Sequence, residues 1–195
     1  MLRGGVGLLD KKNDLFIAAQ KVFLEKGYKS TNISDITNEA RMAVGSFYKY
    51  YKSKEELFLE IYIQENEKVR SKLIGTIDWN REAIDVIDDI FNYSVEVLFN
   101  NNILAEWNKP SISDLLHEYY RSEKGKADYT FQHFLKGVLS ERLEKEAFEK
   151  ETIDKVIKVL DLIYYIDCFI TTQDFEDYVD TLRTLVKYFI KGVFS

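Results

Sequence analysis

Apolar residues recur three and four positions apart between Asp10 and Lys26, with Ala18, Ala19, Val22 and Phe23 on one face, which predicts an amphipathic first helix. Gly27 is placed to stop it, because glycine takes the left-handed cap conformation without a Cβ penalty. Residues 1–9, with three glycines, read as an arm ahead of that helix. Ile33, Ile36 and Ala40 form the apolar face of a second, short helix that either Thr31 or Asn32 can cap. After a break at Arg41-Met42-Ala43, the stretch Val44–Tyr51 reads as a third helix of about two turns. Phe47 and Tyr51 lie four apart and anchor it inward, leaving Val44, Tyr48 and Lys49 to project outward. Ser53-Lys54-Glu55-Glu56 has the form of a capping box and opens a fourth helix running unbroken from Lys54 to about Ile74.

Farther on the pattern predicts helices over about Arg81–Asn100, Ile103–Trp107, Ile112–Arg121, Lys126–Glu144, Lys150–Thr171 and Phe175–Gly192. The Arg81–Asn100 segment is apolar on most faces (Ile84, Ile87, Ile90, Phe91, Val95, Leu98), the mark of a helix central to its domain. The last two segments carry sustained stripes: Ile153, Val156, Ile157, Leu160, Ile163, Tyr164 and Ile170, then Tyr178, Leu182, Leu185, Val186, Phe189 and Val193. No strand pattern competes. One proline and nine glycines in 195 residues leave little punctuation for sheets. The expected fold is all-α, with an N-terminal three-helix domain over residues 1–57 and a larger helical domain over 58–195, about nine helices in all. The long fourth helix bridges them.

The net charge of −6 hides an asymmetry: residues 1–54 carry ten Lys/Arg against five Asp/Glu, +5, and the remainder −11. Basic charge coincides with a short helix presented after a tight turn. That is the helix-turn-helix arrangement for the DNA major groove, and the acidic remainder would be repelled by phosphate. In such an arrangement Lys49 donates to guanine acceptors, Tyr48 offers a hydroxyl or a stacking face, Val44 touches a thymine methyl, and Gly45 lets the backbone approach closely. Tyr48 and Tyr50 read also as plain core aromatics.

Enzyme chemistry finds little to stand on. His117 and His133 are sixteen apart with no second ligand at helical spacing, so no metal site is expected. Cys168 lies alone in the apolar run LIYYIDCFI and reads as an inert core thiol, fitting a reducing, cytoplasmic compartment. No glycine-rich phosphate loop follows a strand, no cofactor is implied, and no stretch approaches the roughly 20 apolar residues of a membrane span.

Residues 14–62 resemble the N-terminal domain of the TetR family of transcriptional regulators. The likeness rests on Leu15, Ala18, Ala19 and Phe23, then Gly27-Tyr28, Thr31, Ile33, Asp35-Ile36 and Ala40, then Gly45-Ser46, Tyr48, Tyr50-Tyr51 and Lys52-Ser53-Lys54-Glu55-Glu56-Leu57-Phe58. Three positions depart from the family pattern: Arg41 stands where glycine is usual, Ala43 where serine is usual, and Val44 where lysine is frequent. Ala43 forgoes a side-chain cap worth about 1 kcal/mol. The resemblance implies phosphate contacts from Thr31, Ser46, Tyr50 and Lys54. It also implies a cytoplasmic homodimer built from the last two helices, for which Leu160, Tyr164, Leu182, Leu185 and Phe189 are the candidates. Two copies would read a palindromic double-stranded DNA operator, released when an unknown small-molecule effector enters the C-terminal domain. A DNA-bound interaction protein of the same fold, without an effector, is the alternative.

An effector pocket would be mostly apolar with a few polar groups. Tyr93, Trp107, Phe131, Phe134 and Tyr165 are the aromatic candidates. Asp167 shares the face of Ile163 and Ile170, where an unpaired carboxylate is costly. Either it pairs with a lysine or a tyrosine hydroxyl, or it faces the pocket and receives a cation or donor from an aromatic or cationic amphipathic effector.

Overall fold

A computed structural model of the chain describes residues 5–170 and 174–195. Among these residues there is no strand; ten α-helices and one 3-10 turn follow one another: α1 (Gly5–Lys26), α2 (Ile33–Glu39), α3 (Val44–Phe47), α4 (Lys54–Thr76), α5 (Ala83–Asn100), the 3-10 turn Leu104–Asn108, α6 (Ser113–Arg121), α7 (Glu123–Asp128), α8 (Thr130–Lys145), α9 (Lys150–Asp167) and α10 (Tyr178–Val193). α1 starts at Gly5, inside the segment read as an arm, of which residues 1–4 lie outside the described residues. No helix of the described residues is long and apolar enough to cross a membrane.

The chain forms two compact units. The first gathers residues up to Asn66 together with Val97–Leu116, and the second Glu67–Glu96 with His117–Ser195. The first break between the units falls at 66/67, and the stretch that includes the 3-10 turn groups with the N-terminal helices.

The core of the first unit is aromatic. Phe23 meets Phe58 edge-on at 4.9 Å, Tyr28 meets the same ring at 4.9 Å, and Phe47 lies 6.0 Å from Tyr51. Leu15, Ala19, Ile36, Leu57 and Ile61 close around them, fully buried. α2 is capped by Asn32, whose side chain accepts from Asp35 N–H while the Asp35 carboxylate accepts from Asn32 N–H. At the head of α4, Ser53 Oγ accepts from Glu56 N–H, and Glu56 reaches back to the N–H of Lys52. These reciprocal bonds satisfy amides that the first turn of a helix leaves open.

In the second unit Ile87, Leu139, Leu143, Ile153 and Ile190 form one buried cluster, with Val156, Ile157, Leu160, Val186 and Phe189 packed against it. α5 buries only Val86 and Ile87, not the all-round burial its composition predicts. The single helix expected over 126–144 is two helices, broken at Tyr129 (φ −82°, ψ 80°). The break lets the Tyr129 ring pack 5.5 Å from Tyr120 and 5.4 Å from Tyr164, so tertiary packing overrides local propensity.

Two glycines of this unit should respond oppositely to alanine. A Cβ on Gly125 would stand 2.1 Å from the Tyr119 carbonyl oxygen, so Gly125→Ala should lower stability by about 3 kcal/mol. Gly137, inside α8, faces open space, and Gly137→Ala should raise stability by about 0.5–1 kcal/mol. Urea unfolding of the two variants checks the signs.

Candidate nucleic-acid interface

The turn between α2 and α3 closes with Arg41 N–H on Asn38 O at 3.0 Å and Met42 N–H on Thr37 O at 2.8 Å. This paired-bond cap needs a left-handed residue, and Arg41 supplies it at φ +53°. Glycine would sit there without cost; arginine bears a Cβ clash of the order of 1 kcal/mol. α3 then begins at Val44, after an N-cap Ala43 whose side chain makes no cap bond.

α3 is shorter than expected. It covers Val44–Phe47, and three-residue turns carry the chain on, with Lys49 N–H on Ser46 O at 3.3 Å and Tyr50 N–H on Phe47 O at 2.9 Å, until Tyr51 N–H returns to Phe47 O. The inward anchors are as the spacing implies: Phe47 is fully buried and Tyr51 nearly so. Val44, Gly45, Tyr48 and Lys49 are exposed, with Tyr48 at 59%. Ser46 and Tyr50 are half-buried. Gly45 has open space where a Cβ would stand.

Beside α3 lies an open groove of about 630 Å³, lined by Lys29, Thr31, Ser34, Val44, Tyr48, Lys52 and Lys54 among others. Its charged lining is three lysines against Glu55. Thr31 is buried at 2% and its hydroxyl donates to Gly27 O at 2.7 Å. Lys54 Nζ donates to Tyr28 O at 2.9 Å and Thr31 O at 2.7 Å and lies 4.0 Å above the Tyr28 ring. Desolvation holds its ammonium below the ordinary lysine range. Both residues therefore build the wall of the groove, and two of the three N–H groups of the Lys54 ammonium are engaged by its carbonyls.

The six residues picked as pocket lining are divided between the two units. Trp107 belongs to the first unit, stacked 6.2 Å from Tyr62, whereas the other five belong to the second. Tyr165 is 54% exposed against Phe169. Phe134 packs edge-on to Trp79 at 4.8 Å, Tyr93 is half-buried, and Phe131 lies under the Arg70 guanidinium at 5.0 Å. The groups gathered round Asp167 are others. Tyr178 donates to its carboxylate at 3.2 Å, and Arg70 bears electrostatically on Asp167 and on Tyr129. Desolvation still raises the Asp167 carboxyl above the ordinary range, against the opposing pull of Arg70 and the Tyr178 hydroxyl. Cys168, buried beside it, has its thiol pushed up to about 11, in keeping with an unreactive core cysteine. Among the described residues no group of three or more His, Cys, Asp or Glu could hold a metal.

The candidate dimer residues differ in exposure. Leu160 and Phe189 pack on their own unit's core, and Tyr164 turns its hydroxyl to Tyr120 O at 3.1 Å. Leu182 is half-buried, and only Leu185 is openly exposed, at 46%. The exposed large apolar side chains described in this part of the chain are Val159, Leu162, Tyr165 and Phe169 on and just after α9, Phe175, and Leu185 and Tyr188 on α10.

A short helix held up by buried aromatics, with a cationic groove at its side, defines a helix-turn-helix nucleic-acid-binding domain. The family model for bacterial regulatory proteins of the tetR family matches residues 15–61, so the likeness to that family is one of the N-terminal domain. The transcriptional regulator QacR of Staphylococcus aureus is 26% identical over 118 residues, 58% of each chain. The regulator YuxN of Bacillus subtilis is 32% identical over 66 residues, 34% of this chain and 23% of that one. The chain thus spans from about a quarter to somewhat over half the length of these curated relatives. The crystal structure of the transcriptional regulator FadR from Bacillus subtilis in complex with stearoyl-CoA has the same fold, with a TM-score of 0.57, 19% identity and coverage of 93% of this chain and 96% of that one.

Two repairs to the turn should stabilise the protein. Arg41→Gly removes the left-handed cost and Ala43→Ser restores the cap; each should raise the unfolding free energy by about 1 kcal/mol, read by urea denaturation. For Asp167 the sign runs the other way from most carboxylates. Its folded-state pKa is raised, so the folded protein binds the extra proton, and stability falls as pH rises from the ordinary carboxyl range through the raised value. Asp167→Asn should therefore raise the melting temperature at pH 7, with the gain vanishing as pH falls to the ordinary carboxyl range.

Proposed function

We propose that this protein is a DNA-binding transcriptional repressor that acts as a twofold dimer on a palindromic operator and is released by a small-molecule effector. The observation that carries the reading is the display of Val44, Gly45, Tyr48 and Lys49 on an exposed helix beside a lysine-lined groove, within the stretch that matches the family. In this reading Lys49 donates to guanine, Tyr48 contacts a base edge, Val44 meets a thymine methyl and Gly45 admits the phosphate backbone or base close to the main chain. Ser46, Tyr50 and Lys54 serve the phosphates, which fix register without reading sequence, while the buried Thr31, its hydroxyl donated to Gly27 O, shapes the wall beside them rather than meeting a phosphate itself.

A helix this short reads half a site, and a twofold partner supplies the other half. The exposed side chains of Val159, Leu162, Tyr165 and Phe169 with Leu185 and Tyr188 form the face proposed to meet a second copy. The effector is proposed to enter the second unit near Asp167, where a desolvated carboxylate amid tyrosines suits a ligand with a positive charge or a strong donor. An effector needs only a few kcal/mol of differential affinity to empty the operator.

Operator selection from random duplexes, followed by binding at several salt concentrations, tests the reading. A palindrome should emerge with half-site centres about one helical turn apart or a little more, and affinity should fall steeply with salt. Lys49→Ala should relax preference at one base position per half-site. Leu185→Glu or Tyr188→Glu places an ion in a dry interface and should yield monomers in sedimentation with tight operator binding lost. Absence of any selected sequence, or a stable dimer in both charge variants, would refute the corresponding half of the proposal.

A further inference from the structure

α1 does not finish its own C-terminal end. Gly27 adopts φ +73° and its N–H reaches Phe23 O at 2.8 Å, the single-bond form of a glycine cap. That form leaves the Tyr28 N–H and the Leu24 carbonyl to be satisfied from elsewhere. Both are met by residues 78 positions farther on: Asn102 Nδ2 donates to Leu24 O at 2.7 Å, and Tyr28 N–H donates to Glu106 Oε1 at 3.2 Å. Glu106 is 1% exposed and projects from the 3-10 turn Leu104–Asn108. Its remaining bonds come from Lys109 Nζ at 3.0 Å and Ser111 Oγ at 3.1 Å, so it is a charge committed on all sides. A Cβ on residue 27 would lie 3.1 Å from Glu106 Oε1, so glycine there also makes room for the incoming carboxylate.

The rest of the segment is fastened to the same unit. Ile103 and Leu104 are buried, Trp107 stacks on Tyr62, and Asn101 donates at 2.8 Å to Glu65, which also accepts from Gln20 of α1 at 2.9 Å. The turn it caps holds the groove wall. Thr31 bonds back to Gly27 O, and Lys54 bonds to the carbonyls of Tyr28 and Thr31.

We infer that Glu106 and Asn102 are positioning residues for operator binding. They form a helix cap, supplied from outside the helix-turn-helix sequence, that holds the Gly27–Thr31 turn and Lys54 in the geometry that meets phosphate. Neither residue touches DNA in this arrangement; each acts through the turn. The inference rests on the DNA-binding reading above and adds that the N-terminal domain is incomplete without residues 101–111.

The test uses the full chain with its selected operator, comparing wild type with Glu106→Ala, Glu106→Gln and Asn102→Ala by binding across a salt series at a temperature well below unfolding. Glu106→Ala should weaken binding roughly tenfold or more, because a buried N–H loses its acceptor. The slope of log affinity against log salt should become shallower by about one or more, as displaced phosphate contacts release fewer counterions. Glu106→Gln keeps an acceptor for Tyr28 N–H and should bind nearly as wild type. Asn102 is exposed, so Asn102→Ala keeps the melting temperature yet should shift affinity and slope in the same direction, which decides the matter if Glu106→Ala does not fold. Wild-type affinity and slope in Asn102→Ala, or weakened binding with an unchanged slope in Asn102→Ala and a folded Glu106→Ala, overturns the inference. Wild-type protein that binds no duplex at low salt overturns the DNA-binding reading, and this one with it.

Discussion

A helix that stops inside a folded domain leaves amides and carbonyls without a partner in the helix itself, and something must meet them. At the end of α1 that requirement is met partly by Gly27 and partly by side chains from a distant segment, Asn102 and Glu106. The neighbouring features rest on this junction. The turn that follows supplies the carbonyls on which Lys54 sits, Lys54 begins α4, and the Tyr28 ring packs on Phe58 of the same helix. A buried carboxylate is an expensive way to end a helix unless each of its oxygens is engaged, and here each is. The first unit is accordingly a composite of residues near the N-terminus and residues from the middle of the chain.

The second unit resolves a different conflict. Its helices are rich in tyrosine, and the rings gather where hydroxyls find carbonyl or carboxylate partners, as Tyr164 does on Tyr120 O and Tyr178 on Asp167. Burial raises the hydroxyl pKa of Tyr129, Tyr164 and Tyr178 alike, so the cluster stays neutral and donates. Arg70 is the cation that faces it, lying over Phe131 and bonded to Ser94.

Local rules made the N-terminal third readable. The spacing of Phe47 and Tyr51, the stop at Gly27 and the start at Ser53 each depend on residues within one or two turns, and each stands where periodicity and capping put it. What needed the folded chain was longer in range. The lone helix over 126–144 divides because Tyr129 is drawn toward Tyr120 and Tyr164, residues that no window of sequence brings together. The apolar stripe of α9 is wide enough to cover two faces, and periodicity alone does not say that Leu160 and Tyr164 turn inward while Leu162 and Tyr165 stay out. Glu106 offered only a carboxylate beside a tryptophan; its role follows from an amide 78 residues away.

Arg41 in a left-handed turn, Ala43 without a cap and an α3 of only four residues together leave the recognition element with little stability of its own. What holds it in place is the burial of Phe47 and Tyr51 in the core of the first unit. Under the proposed reading, a substitution that loosens either ring would divert part of the association energy into local folding, and operator binding would take on the thermodynamic character of a folding reaction: a favourable enthalpy offset by lost entropy, and a negative heat-capacity change.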